Sequence, residues 1–116
     1  MSEDHQQTIL IVDDTPENID VLRNLLRKSY RVKVALNGPK ALKIAASESP
    51  PDLILLDIMM PDMDGFEVIK RLKNDPATKN IPVIFVTAKA ETVDEEKGFI
   101  LRAVDYITKP ISPPLA

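Results

Sequence analysis

The chain has 116 residues, enough for one domain that buries roughly two thirds of its unfolded surface. Its 44% hydrophobic and 28% charged residues are those of an ordinary globule, and a net charge of −3 offers no chain-wide basic field for nucleic acid or an anionic membrane. The absence of cysteine excludes disulfides and thiolate metal sites and fits a reducing, cytoplasmic setting, and no apolar run approaches the roughly 20 residues of a membrane span.

Residues 1–7 are polar, contain no hydrophobic segment and do not read as a signal peptide, so a short mobile tail is expected. His5, the single histidine, falls in that tail and is taken as structurally irrelevant. Thr8 to Val12 then reads as a strand. Pro16 can occupy the first position of a helix whose stripe is Ile19, Leu22, Leu25 and Leu26. Arg31 to Ala35 is a second strand. A second helix runs from about Pro39 through Ala41, Leu42, Ile44 and Ala45, until Pro50-Pro51 stops it.

Leu53 to Leu56 is a third strand, and Phe66, Ile69 and Leu72 mark a helix from about Gly65 to Asn74. Pro82 to Thr87 and Val104 to Thr108 are the fourth and fifth strands. Between them a weakly amphipathic helix is expected over about Val93 to Leu101, anchored by Phe99 and Ile100 and exposing Asp94 to Lys97. The first, third and fourth strands are nearly continuously apolar, as in strands covered on both faces. Alternating strands and helices therefore predict an α/β fold: a five-stranded parallel sheet, doubly wound by helices.

In such a sheet, ligands bind beyond the carboxyl ends of the strands. Asp13 and Asp14 follow the first strand, Asp57 ends the third, Thr87 ends the fourth and Lys109 follows the fifth. Asp57 poses the sharpest question, because a carboxylate inside an apolar run needs something to compensate its charge. Carboxylates only about 4–6 Å apart repel one another unless a cation sits among them. Mg²⁺ suits such a site, since it takes a few carboxylates, keeps waters and accepts a phosphate oxygen. Lys109 and Thr87, on the far side of Asp57, would suit a phosphoryl group. A carboxylate so placed can attack phosphorus and form an aspartyl phosphate.

Taken singly, each residue has a plainer reading. Asp14 or Thr15 before Pro16 can be a helix cap, Asp57 a turn former, Thr87 an ordinary β-branched strand residue, and Lys109 before Pro110 a solvated turn. Their coincidence at one end of four strands favours a site.

These residues stand in a pattern that resembles the receiver domain of bacterial two-component response regulators. The matching stretches are residues 9–14, residues 52–67 with Asp57-Ile58-Met59-Met60-Pro61 at their centre, residues 81–88, and Val104 to Pro110. The resemblance covers about residues 8–112 and implies the flavodoxin-like strand order 2-1-3-4-5. It implies phosphorelay signal transduction, with Asp57 accepting a phosphoryl group from a sensor histidine kinase or phosphotransfer protein. Asp14 and Asp57 would ligate Mg²⁺ directly with the backbone carbonyl of Met59, and Asp13 would help through water. Thr87 and Lys109 would contact the phosphoryl group, Tyr106 would turn inward as Thr87 moves, and Lys109-Pro110 would be a cis peptide. Phosphorylation adds about 1.5–2 negative charges, so the face of the fourth helix and fifth strand would switch between two states.

The chain departs from the family at two places. Arg102 stands where relatives carry a glycine that ends the fourth helix, a left-handed position costing arginine about 1 kcal/mol. After Pro110 the family continues into a whole fifth helix, whereas Ser112-Pro113-Pro114 supplies only its cap and first turn. Residues 8–116 are thus expected to be a receiver lacking most of that helix. The expectation is a longer regulator with an output domain beyond Ala116, or a homodimer in which a neighbouring chain covers apolar surface beside the first helix. No direct nucleic-acid or membrane partner is expected, and no turnover enzyme. An aspartyl phosphatase of this general kind would need a second Asp where Met59 stands. A receiver-like interaction or dimerisation module that is never phosphorylated is the alternative; it predicts loss of an acidic residue or Lys109, and none is lost.

Overall fold

The computed structural model describes residues 7–87 and 105–108, the side chains of Thr87 and of residues 105–108 excepted. In chain order the elements are β1 (Thr8–Val12), α1 (Pro16–Leu26), β2 (Arg31–Ala35), α2 (Gly38–Ala45), β3 (Leu53–Asp57), α3 (Gly65–Asn74), β4 (Val83–Thr87) and β5 (Asp105–Thr108). The strands form one parallel sheet in the order β2-β1-β3-β4-β5, the expected doubly wound arrangement. The fourth helix expected over 93–101, the connection at Arg102, Lys109 with its prolyl bond, the segment that follows it and residues 1–6 lie outside the described residues.

Period-two alternation along the strands sorts the core onto the two faces of the sheet. Leu10, Val12, Ile54, Leu56, Val83 and Phe85 pack with Ala41 and Ala45 of α2 and Val68, Ile69 and Leu72 of α3. Ile9, Ile11, Leu55 and Val86 turn the other way, onto Ile19 and Leu22 of α1. This explains the continuous apolar runs of β1, β3 and β4: each strand is roofed on both sides. β2 lies at the edge and is less buried, with Arg31 exposed and Lys33 half-buried. The Phe66 and Phe85 rings meet edge to face at 5.4 Å, joining α3 to the sheet centre.

Helix ends follow local chemistry. The Asn37 side chain accepts from the Lys40 N–H at 2.9 Å, so α2 begins at Gly38, a residue earlier than Pro39 suggested. The Asp64 side chain accepts from the Glu67 N–H at 2.9 Å and starts α3. One turn further on, the Arg71 Nε–H donates to Glu67 at 2.8 Å, and that bond holds the Glu67 carboxyl below its usual range. Its contribution is therefore present above the ordinary carboxylate pKa and fades as pH falls through the lowered one. In α1 the buried face is Ile19 and Leu22, with Leu26 packed beside them, while Leu25 is 40% exposed. At about 100° per residue Leu25 lies well off that line, so it falls outside the buried stripe in which the sequence placed it.

Beyond α3, Thr78 is a buried polar residue whose hydroxyl donates to the Leu72 carbonyl at 2.7 Å. It ties the end of α3 to the turn that leads into β4. Thr78→Val keeps the shape and removes that donor, and is expected to cost about 1 kcal/mol, lowering the thermal midpoint by about 4 °C. Calorimetry showing an unchanged midpoint would contradict this assignment.

Candidate functional site

Parallel register brings the acidic residues together. Val12 pairs with Leu56, so Asp13 at the end of β1 lies level with Asp57 at the end of β3. The Asp13 N–H donates to the Ala35 carbonyl at 3.1 Å, holding it in line with the β1–β2 ladder. Its Oδ1 accepts from the Thr15 N–H at 2.9 Å, which also shapes the entry to α1, where Thr15 makes no side-chain cap of its own. Asp13 and Asp57 are buried, at 2% and 4% exposure, and Asp14 is exposed. One carboxylate oxygen from each of the three lies within 4.8 Å of the others.

Three carboxylates at this spacing, two of them in a low-dielectric setting, favour a cation among them. The donor set is all oxygen, with one open side, which fits a hard divalent ion that retains waters. Metal–oxygen bonds of about 2.1 Å span opposed oxygens about 4 Å apart, so the cluster closes on such an ion by less than about 1 Å or admits a water at one carboxylate.

The loop from Ile58 to Asp64 leads from the end of β3 into α3. It is pinned at both ends: the Met60 N–H and the Gly65 N–H donate to the Ile58 carbonyl at 3.1 and 2.9 Å. Met59 lies on this loop with its side chain 64% exposed. Gly65, the first residue of α3, packs directly on the end of β3. A Cβ there would collide with the Asp57 carbonyl oxygen and stand 2.8 Å from the Ile58 Cα. No described glycine has positive φ, so Gly65 is required for space rather than for backbone freedom. Among the described residues, Asp62 alone of the non-glycine residues has positive φ, at 69°.

Of the residues singled out in the sequence, Asp13, Asp14 and Asp57 are brought together, and Met59 lies on the adjoining loop. Thr87 ends β4 at the same edge, one residue past the Asp57–Val86 pair. The backbone of Tyr106 pairs with Phe85 in the neighbouring strand. The side chains of Thr87 and Tyr106, and Lys109 altogether, lie outside the described residues. Gly65 and Asp62 were not singled out. Asp-Gly ahead of a helical pattern is a signal for a turn, but it does not reveal that a strand carbonyl fills the missing Cβ.

Comparison with known proteins bears on this arrangement. The family model for the response regulator receiver domain matches residues 9–115. A probable cyclic di-GMP phosphodiesterase of Vibrio cholerae is 54% identical over 110 residues, which cover 95% of this chain but 25% of that protein. The chain thus spans about a quarter of that relative's length. The crystal structure of the N-terminal domain of a response regulator receiver protein from Methanoculleus marisnigri is 46% identical, with a TM-score of 0.80 over 89% of this chain and 84% of that one. The receiver domain of a sensor histidine kinase from Pseudomonas aeruginosa, with a magnesium ion coordinated in its active site cleft, is 31% identical. It has a TM-score of 0.81 over 92% of this chain and 88% of its own.

Proposed function

Because this chain belongs to the response regulator receiver domain family, and so to two-component phosphorelay signalling, we propose that Asp57 is its phosphoacceptor. One observation carries this reading: three carboxylates from two adjacent strand ends, two of them buried, gather within 4.8 Å on the carboxyl edge of the sheet. An interaction-only module has no use for that concentration of charge.

Asp14, Asp57 and the Met59 carbonyl would hold Mg²⁺, with Asp13 acting through a water. Mg²⁺, when bound, neutralises charge on the transferring phosphoryl group. An Asp57 carboxylate oxygen attacks phosphorus, the bond from phosphorus to the donor nitrogen breaks, and the electron pair leaves with that nitrogen, which takes a proton from solvent. Water later attacks phosphorus and releases inorganic phosphate, returning the carboxylate. This slow self-hydrolysis makes the domain a switch rather than a turnover enzyme. Lys109 pairs with the phosphoryl oxygens, Thr87 donates to one of them, and Tyr106 follows Thr87 inward. A rigid strand end suits this chemistry, since misplacement by about 1 Å costs about 100-fold in rate.

The donor is a sensor histidine kinase or phosphotransfer protein in the cytoplasm. The recipient of the signal is an output domain of a longer regulator, or a second copy of this chain. No described helix is long and apolar enough to cross a membrane. Incubation with Mg²⁺ and acetyl phosphate is expected to give a base-labile mass gain of one phosphoryl group, abolished by EDTA. No gain, or a gain indifferent to EDTA, would overturn the reading.

A further inference from the structure

Beside the acidic cluster, a cleft of about 330 Å³ opens between the turn that follows β2 and the loop that follows β3. Leu36, Pro39, Met60 and Pro61 give it apolar walls, and Asp62 stands at its rim. Two features set it apart from ordinary surface. Leu36 is a large hydrophobic residue left 45% exposed, and Asp62 is held at φ 69°, a backbone state that disfavours most side chains. The Asp62 carboxylate has no hydrogen bond or ion pair among the described residues. An exposed carboxylate with no such partner, at the rim of an apolar cleft, is placed to meet a cation from outside.

We propose that this cleft receives an arginine side chain of the protein that delivers the phosphoryl group. Charge complementarity selects a cation, because Asp62 is the one charged residue among the described residues that line the cleft. The volume is at the small end for a ligand site and accommodates one long side chain. An aliphatic stem lies along Leu36, Pro39 and Pro61, and a planar, weakly hydrated guanidinium pairs with the Asp62 carboxylate in a fork geometry that a lysine ammonium lacks. The arginine enters from the edge of the sheet at which Asp57 is reached, so it orients the donor without touching the reacting atoms. The identity of the partner rests on the phosphoacceptor reading, whereas the binding itself is measured without it.

The test is a nuclear magnetic resonance titration of the isotopically labelled chain, saturated with Mg²⁺ so that the acidic cluster is already neutralised. N-acetyl-arginine amide is the probe, and its neutral isostere N-acetyl-citrulline amide is the control. Saturable shifts are expected at the Leu36, Asn37 and Asp62 amides with the arginine probe. Asp62→Asn, which tolerates the same backbone, and the citrulline control should each weaken them about fivefold, the most that an exposed ion pair contributes. Shifts confined to Asp13, Asp14 and Asp57, or unchanged in Asp62→Asn, would overturn the proposal. Phosphorylation by acetyl phosphate should be unaffected in Asp62→Asn. Its failure in the unsubstituted chain would sink the phosphoacceptor assignment and leave the cleft standing.

Discussion

Asp57→Asn is expected to abolish the labile phosphoryl gain and to remove about half or more of the stabilisation that Mg²⁺ confers. Asparagine keeps the shape and one oxygen of the side chain but has no nucleophilic carboxylate, so no acyl phosphate can form. It also takes one charge from a three-carboxylate cluster packed within 4.8 Å. At Mg²⁺ a hundredfold above its dissociation constant, the unsubstituted chain gains about 2.7 kcal/mol. A ligand change that weakens binding by about 10–100-fold leaves about 0.4–1.4 kcal/mol at the same concentration. Without metal the variant is relieved of part of the mutual repulsion in the cluster. Thermal melts with and without Mg²⁺ measure the remaining gain. A variant with the full Mg²⁺ gain would show that Asp57 is not a ligand.

Gly65→Ala carries the second largest effect. The added Cβ meets only backbone, the Asp57 carbonyl oxygen and the Ile58 Cα, at the point where β3 delivers its carboxylate. Neither can rotate away, so the end of β3 or the start of α3 must shift. That overpacking is expected to cost about 2–3 kcal/mol and to slow acetyl phosphate phosphorylation about 100-fold. Gly38→Ala is the control. Its Cβ would meet the Met63 side chain at 2.6 Å and Val68 at 2.9 Å, and the flexible thioether can give way. Gly38→Ala should therefore lower stability while leaving the phosphorylation rate within about twofold, since its contacts lie away from the reacting atoms. Equal loss of rate in both variants would mean that Gly65 acts through general stability alone.

The strands were legible because burial on two faces leaves almost no polar residue within β1, β3 or β4, and Asp57 stood out against that background. The acidic site was legible for the same reason. Each of its members follows a strand, and a parallel sheet sends those ends to one edge. Local features were less visible. The caps at Asn37 and Asp64 carry a readable signal, Asp64 three residues before Glu67 above all, but periodicity alone placed the start of α2 one residue late. Leu25 was assigned to a buried stripe because hydrophobicity marks what can be buried, not which side of a helix meets the sheet. The role of Gly65 depends on a strand carbonyl that no local pattern announces. Thr87 and Lys109 drew notice through their places at the ends of strands beside Asp57, whereas a role for Tyr106 came from family resemblance alone, since a phenol in a strand has many ordinary uses.

Asp57, rather than Asp13 or Asp14, is expected to take the phosphoryl group. After incubation with Mg²⁺ and acetyl phosphate, borohydride reduces an acyl phosphate to the alcohol and so converts the modified aspartate to homoserine, which peptide mass mapping locates. Conversion at Asp57 alone is the predicted result. Conversion at Asp13 or Asp14, or none at Asp57 despite a labile mass gain, would contradict it.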